Sequence, residues 1–362
     1  MNVHQFLAPL AQSCRRTGPH DRIVLSSRVR LARNLRGHSF PGHAKKPDRV
    51  RALELIRPTV EGLPEMAGAY SATMDELTPQ DKLTLVERHL ISREHAARSS
   101  GSGLVLNKEE SLCVMINEED HLRMQSLQTG LHVRKAWALI DQVDSTLEKR
   151  LDYAFSPDLG YLTACPTNLG TGIRVSAMLH LPGLVLDEQI NAIINSVNKL
   201  GLAVRGLYGE GTEALGNIFQ VSNQKTLGEA ELEIVERVAK ALDQVLTTEL
   251  DARKRLLQRK PKALFNYIGR AYGILTNSHI ITSKEAMNQL SLLRLGVDLN
   301  LFPEIPRSLL EEMFILIQQA HLQQHCGEKL EPEKRDLIRA DILRERLQAA
   351  PRPKTTDARC LE

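Results

Sequence analysis

The sequence has little cysteine, and what it has forms no pattern: Cys14, Cys113, Cys165, Cys326 and Cys360 are odd in number, widely scattered and never arranged as C-x-x-C. That excludes a disulfide framework or a zinc site as the organising element and fits a reducing compartment. No basic N-terminal region leads into a long apolar stretch, and no run reaches bilayer-spanning length. The chain is therefore expected to be cytoplasmic, with no membrane partner. Its charge excess is only +3, from 47 Lys and Arg against 44 Asp and Glu. Such a balance lacks the dense basic surface that releases counterions from nucleic acid, so no nucleic-acid partner is expected and any arginine cluster must be local. Internal repeats and low-complexity tracts are missing. So are three common nucleotide signatures: G-x-x-x-x-G-K-[ST], a strand-turn-helix G-x-G-x-x-G and the H-R-D-x-x-x-x-N loop. Arg335-Asp336-Leu337 echoes that last loop, but no histidine precedes it and Asp341 stands where the metal-binding asparagine would be.

What the sequence does contain is enough chain, 362 residues with 42% hydrophobic and 25% charged, for two domains with separate cores. The first two-thirds mixes short runs rich in Val, Ile and Leu with amphipathic helices, an α+β pattern. Residues 22–32, 103–116 and 202–207 read as strands bounded by turn residues. A helix is expected after Asp187 as N-cap, with Ile190, Ile193, Ile194, Val197 and Leu200 on one face and Gly201 at C′. Residues 228–257 read as a long helix with Leu232, Val235, Val238, Leu242, Val245, Leu246 and Leu250 as its apolar stripe. The basic stretch 253–262 reads as a linker, and helices near 283–295, 308–324 and 333–349 follow. The expected division is 1–255, a helical 256–350, and a polar, disordered tail 351–362.

Three segments carry possible chemistry. In Ser26-Ser27-Arg28-Val29-Arg30, strand periodicity puts Arg28 and Arg30 on one face, and two guanidinium forks pointing one way suit a polyphosphate; solvated arginines on an edge strand are the alternative. Asn117-Glu118-Glu119-Asp120-His121-Leu122-Arg123 concentrates three carboxylates at a strand end, suited to a cationic substrate or magnesium, or else to the N-terminus of a helix. The run Cys165 to Arg174 and the run Arg205 to Gly211 interleave glycines with arginines, which lets backbone approach a phosphate while side chains neutralise it. Cys165 is either a thiol activated by those arginines or an inert core residue, and Glu210 either a functional carboxylate or ordinary surface.

Together these segments resemble the phosphagen (guanidino) kinase family, whose hallmarks are matched in order by Ser26 to Arg30, Asn117 to Arg123, Cys165-Pro166-Thr167-Asn168-Leu169-Gly170-Thr171-Gly172 and Arg205-Gly206. The remaining chain resembles the helical domain of bacterial protein-arginine kinases, including Arg335-Asp336-Leu337-Ile338-Arg339-Ala340. The resemblance implies an antiparallel sheet flanked by helices plus an all-α C-terminal domain. It implies ATP and Mg2+, and nucleotide contacts from Ser26, Ser27, Arg28, Val29, Arg30, His89, Arg123, Arg174, Val175, Ser176, Ala177, Met178, Arg205, Gly206, Leu207, Tyr208, Gly209 and Glu210. Glu119 and Glu210 would align the guanidinium, with Cys165 as the active-site cysteine and no protein-held metal. Arg335 to Ala340 would line a regulatory phosphoarginine pocket.

Two departures from the family pattern shape the expectation. The Ser-Ser-Arg motif begins at position 26, so the domain that small-substrate members carry ahead of it is expected to be missing, leaving an open site suited to a protein surface. Gln220 replaces an acidic nucleotide contact. The implied function is phosphorylation of protein arginines, marking proteins for Clp-type proteolysis in stress, with a zinc-finger activator and a homodimer as partners. A kinase for free arginine and a non-catalytic phosphoarginine-binding adaptor are the alternatives.

Overall fold

In the computed structural model, residues 3–206 and 214–348 are described. Ten strands occur among them: β1 (Val24–Arg33), β2 (Tyr70–Thr73), β3 (Gly103–Leu106), β4 (Leu112–Ile116), β5 (Leu122–Thr129), β6 (Phe155–Ser156), β7 (Gly160–Tyr161), β8 (Ile173–His180), β9 (Leu202–Gly206) and β10 (Ile218–Asn223). Eight form one sheet in the order β2-β3-β4-β5-β1-β8-β10-β9, every neighbouring pair antiparallel. β6 and β7 make a separate hairpin. The fold is thus α+β with an antiparallel sheet, as expected.

Strand alternation gives the sheet two unlike faces. On one, Val29, Leu31, Val114, Met124, Val175 and Ala177 meet the helices Lys46–Glu61, Val133–Glu148 and Glu231–Arg259 in the main core. The other face is covered in two places. The helix Pro79–Glu87 packs over β2, β3 and β4 around Leu85, Leu104 and Met115. A helical layer comprising Pro261–Asn277, Ser283–Asp298, Arg307–Leu316, Gln319–Cys326 and Pro332–Leu347 has its own core and reaches Leu25, Met178 and Ile218. Between these covers, the middle of β5, β1 and β8 presents its polar residues.

Several boundaries differ from the expectation for identifiable reasons. Residues 103–116 form a hairpin, because Asn107 turns the chain by accepting hydrogen bonds from the amides of Ser111 and Leu112, both at 2.9 Å. Asp187 is not an N-cap: it closes the short helix Pro182–Leu186 and accepts from Arg255 at 2.9 and 3.0 Å, while Ile190–Lys199 starts after Gln189. Gly201 does sit at C′, with φ of 73°. The stretch 253–262 is no linker. The long helix runs on to Arg259, a new helix starts at Pro261, and Arg253 is buried between Glu249 (2.6 Å) and Asp298 (3.1 Å). Glu249 also accepts from the amides of Gly183 and Leu184, so charge pairing locks the long helix to its neighbours. Of the predicted stripe, Leu232 and Leu250 are exposed, and Ile234, Ala241 and Ala252 are buried instead. Residues 308–324 divide into two helices at Ile317 and Gln318.

Candidate active site

The antiparallel register brings the arginines together. Arg30 on β1 lies opposite Gln125 on β5 and opposite Arg174 on β8, and Arg123 is two pairs further along β5, opposite Ala32. Arg28, two residues back along β1, shares the face. Burial is the first cause lowering the pKa of Arg28, to about 10, and Arg123 adds to it. Arg30 is pushed down further by burial and then by Arg28, Arg123 and Arg174. Arg174 is lowered by burial, then by Arg205 and Arg123. Each guanidinium thus feels its neighbours as repulsive charge, and Arg30 Nε is buried without a hydrogen-bond partner among the described residues. A polyanion would relieve both strains.

Arg33 does not belong to this strip. It points to the main-core side, donates to Asp144, Glu231 and the Thr171 carbonyl, and stacks 3.6 Å over the Tyr161 ring. The same alternation sorts the neighbours. Ser26, Ser176 and Met178 share the arginine face, with Ser176 Oγ donating to the Arg28 carbonyl at 3.4 Å. Ser27, Val29, Val175 and Ala177 have their side chains on the opposite face. Ser27 Oγ there donates to the Gly130 carbonyl and accepts from the His132 amide.

The three adjacent carboxylates have three different fates, and they lie in the β4–β5 hairpin rather than at a helix N-terminus. Asn117 makes the turn possible by adopting φ of 56°. Glu118 is fully buried and accepts from Arg123 Nη1 at 2.7 Å with each oxygen, from Ser92 Oγ at 2.5 Å and from the Glu119 amide at 2.8 Å. Against burial, Arg123 holds its carboxyl below the usual range. Asp120 is also buried, accepting from Asn34 Nδ2 at 2.6 Å and from the Ala164 amide at 2.7 Å. Only the half-buried Glu119 carboxylate makes no hydrogen bond among the described residues. Burial, then Asp120 and Glu118, raise its pKa.

Asp120 ties this hairpin to the loop that carries Cys165, since Ala164 is the residue before the cysteine. Cys165 Sγ lies 3.0 Å from Thr167 Oγ1 and close enough to Arg174 to influence it. The glycines of this loop serve chain packing. A Cβ on Gly170 would lie 2.5 Å from the Thr226 carbonyl, and one on Gly172 would lie 2.6 Å from the Ala32 carbonyl, with positive φ at both. Backbone approach here is to other backbone, which differs from the phosphate approach read from the sequence.

His89 takes a left-handed φ of 60° after the Pro79–Glu87 helix and stands beside Arg28; burial, then Arg28, lower its pKa to about 4. Gln220 Oε1 accepts from Arg28 Nη2 at 2.8 Å, so the amide occupies the place of a carboxylate without adding charge. Arg205 and Gly206 end β9, with Arg205 exposed opposite Gln220. Leu207, Tyr208, Gly209 and Glu210 lie outside the described residues. Three supports went unrecognised in the sequence. Asn223 accepts from Arg174 Nη1 through its carbonyl and crosslinks β8 through its side chain. Asn34 holds Asp120, and Ser92 holds Glu118. A single asparagine or serine carries no periodic signal, so only contact across the fold identifies them.

The segment 335–340 lies far along the chain on the helix Pro332–Leu347. Arg339 is buried and donates to the carbonyls of Ile317 (3.0 Å) and Ile281 (2.9 Å) and to Asp336. Ala340 is in the helical core, Ile338 is partly covered, Leu337 is exposed, and Arg335 and Asp336 are half-buried.

Comparison with known proteins adds a family to this geometry. Residues 54–252 match the family described as ATP:guanido phosphotransferase, C-terminal catalytic domain, and residues 261–358 match the protein-arginine kinase McsB C-terminal domain. The chain is 46% identical over 338 residues to a protein-arginine kinase of Symbiobacterium thermophilum, covering 92% of this chain and 95% of that protein. It is 47% identical over 336 residues to one of Bacillus cereus, covering 91% and 94%. Among solved structures, lombricine kinase aligns with a TM-score of 0.57 and 26% identity over 67% of this chain and 71% of that one.

Proposed function

The chain belongs to the ATP:guanido phosphotransferase family, with a second part matching the C-terminal domain of protein-arginine kinases, and from that premise we propose that it transfers the γ-phosphoryl group of ATP to arginine side chains of other proteins. The observation that carries this reading is a strip of mutually repelling guanidinium groups, Arg28, Arg30, Arg123 and Arg174, bordered by one carboxylate, Glu119, left without a hydrogen bond among the described residues. The strip suits a polyphosphate and the carboxylate suits a guanidinium substrate. The near-full-length likeness to protein-arginine kinases supports protein as the carrier of that guanidinium.

A guanidinium with pKa above about 12 is a poor nucleophile, and a carboxylate near 4.3 is too weak to deprotonate it in advance. The proton therefore leaves late. The N–P bond forms as the bond from phosphorus to the ADP oxygen breaks, and the guanidinium proton passes to Glu119, whose raised pKa makes it a better acceptor than a solvated glutamate. Glu210 is the second aligning carboxylate, and Cys165 orients the guanidinium beside Arg174. Charge on the transferring oxygens is met by the arginine strip, so positioning and electrostatics carry the catalysis. Among the described residues no group of three or more His, Cys, Asp or Glu side chains could hold a metal ion. Magnesium enters as the Mg-ATP substrate, on phosphate oxygens. His89, neutral at pH 7, contacts the nucleotide without adding charge.

In the cell, the phosphorylation marks proteins for Clp-type proteolysis under stress, with a zinc-finger protein as activator and the helical part as the dimer interface. On this reading Arg335 to Ala340 line a regulatory phosphoarginine pocket on that part, with the half-buried Arg335 and Asp336 as its accessible charged groups. The same reading has the enzyme act in the cytoplasm; no helix of the described residues is long and apolar enough to cross a membrane. The test is incubation with Mg-ATP and either casein or free arginine, with N-phosphoarginine read by mass spectrometry under non-acidic handling. Protein-linked product with unmodified free arginine is expected; modification of free arginine alone would overturn the protein-kinase reading.

A further inference from the structure

The arginine strip changes character along its own strands. Two residues back from Arg28, about 7 Å at strand rise, Ser26 lies opposite Met178, and Ile218 lies opposite His180 on the next strand pair. The register shifts between Val24 and Ser26, and the consecutive Leu25 and Ser26 face the same cavity. Ser26, Leu25, Met178 and His89 all line one cavity of about 220 Å³. Cationic groups at one end and, at the other, apolar groups beside the Arg294–Glu311 ion pair (3.3 Å) match a nucleotide, charged at its phosphates and flat and apolar at its base. The volume is below the roughly 300–1,000 Å³ of whole-ligand clefts, so it suits the base alone, with the phosphates on the strip outside.

The opposite wall of this cavity comes from the helical part. Met287 on the helix Ser283–Asp298, Phe314 on Arg307–Leu316 and Gln318, the N-cap of Gln319–Cys326, line it. Gln318 Nε2 donates to the Phe314 carbonyl at 3.1 Å and points to Met287 Sδ at 3.2 Å. With its amide nitrogen fixed on these acceptors, Oε1 is left as an acceptor that no hydrogen bond among the described residues uses.

Resting on the ATP-dependent reading above, we infer that the helical part completes the nucleotide-base pocket, Met287 and Phe314 packing on the purine ring and Gln318 Oε1 accepting from the exocyclic amine of adenine. Guanine offers a carbonyl at that position, so the site discriminates against it, because two acceptors would face each other. Helical packing and nucleotide affinity are thereby coupled, although the phosphates never touch the helical part.

The experiment compares binding of ATP, GTP and inorganic tripolyphosphate to the full chain and to its Phe314→Ala and Gln318→Ala variants by calorimetry. Tripolyphosphate reads the arginine strip alone and serves as the control for folding. The expected result is a loss of ATP affinity of about tenfold or more in Phe314→Ala, with tripolyphosphate affinity unchanged. Gln318→Ala, a milder change at the helix junction, should narrow the preference for ATP over GTP. Unchanged ATP affinity and preference in both variants would overturn the inference, and so would equal losses for ATP and tripolyphosphate. A wild-type chain binding tripolyphosphate as tightly as ATP would show that the base has no pocket. A chain binding neither would instead overturn the ATP-dependent reading on which the inference rests.

Discussion

Glu118 and Glu119 are adjacent in sequence and identical in type, yet the structure assigns them opposite consequences, and replacing Glu118 exposes the difference. Its Oε1 accepts from Arg123 and Ser92, and its Oε2 from Arg123 and the Glu119 amide. In Glu118→Gln the amide nitrogen is better placed at the Oε1 position, where one Arg123 bond is lost while the Ser92 hydroxyl can rotate, than at Oε2, where both donors are fixed. A hydrogen bond to a charged group contributes about 1.5–3 kcal/mol. Glu118→Ala removes the whole carboxylate partner of the half-buried Arg123 from a pair whose other member is fully buried, about 3–5 kcal/mol. At about 2–4 °C per kcal/mol for a domain of this size, the expected drops in melting temperature are about 3–12 °C for Gln and about 6–20 °C for Ala. Tripolyphosphate should stabilise both variants more than wild type, since an anion then supplies the charge that Arg123 has lost. The acid limb follows with a definite sign. The Glu118 carboxyl is depressed in the folded state, so its contribution is present above the unfolded value near 4.3 and is lost as pH falls through the lower folded value. Glu118→Gln should lack that component. Thermal melts by circular dichroism with and without tripolyphosphate measure all of this. A Glu118→Gln variant melting within about 1 °C of wild type, with the same anion-induced shift, would refute the reasoning.

Glu119→Gln should melt within about 0.5 kcal/mol of wild type, because no hydrogen bond is lost, while phosphoryl transfer falls about 10²–10⁴-fold; near-normal transfer would remove Glu119 from the reaction. Wild-type transfer should also decline with falling pH at a value above the ordinary glutamate range, because the raised Glu119 pKa protonates the acceptor earlier. His95 and His121 are buried and held near 4 by desolvation first. Both bind a proton sooner when unfolded, so stability is full above about 6.5 and declines toward 4, by up to about 1.4 kcal/mol per pH unit for each. Urea midpoints at pH 7 and pH 5 that coincide would contradict this. Arg339→Ala leaves the Ile317 and Ile281 carbonyls without a donor, at about 1–3 kcal/mol each, so it should lower the melting temperature. Arg335→Ala should not, and its loss of phosphoarginine binding is the cleaner test of that pocket; retained binding would exclude Arg335.

The sequence was sufficient for whatever depends on local periodicity and on motif order. Period-2 spacing put Arg28 and Arg30 on one face and Gly201 marked a helix end, because these signals lie within a few residues of each other, and the order of the motifs from Ser26 to Gly206 pointed by resemblance to the antiparallel α+β sheet. The tertiary structure decided everything that depends on who faces whom. Strand register alone carried Arg123 and Arg174 to Arg30. Of three consecutive carboxylates, contact with Arg123, Ser92, Asn34 and Ala164 occupied two and left Glu119 available. Arg253, which looks like linker charge in the sequence, is a buried pillar because Glu249 and Asp298 converge on it. Charge in a sequence has a sign but no environment, and burial and partners, which set what a charged group does, exist only once distant segments have packed.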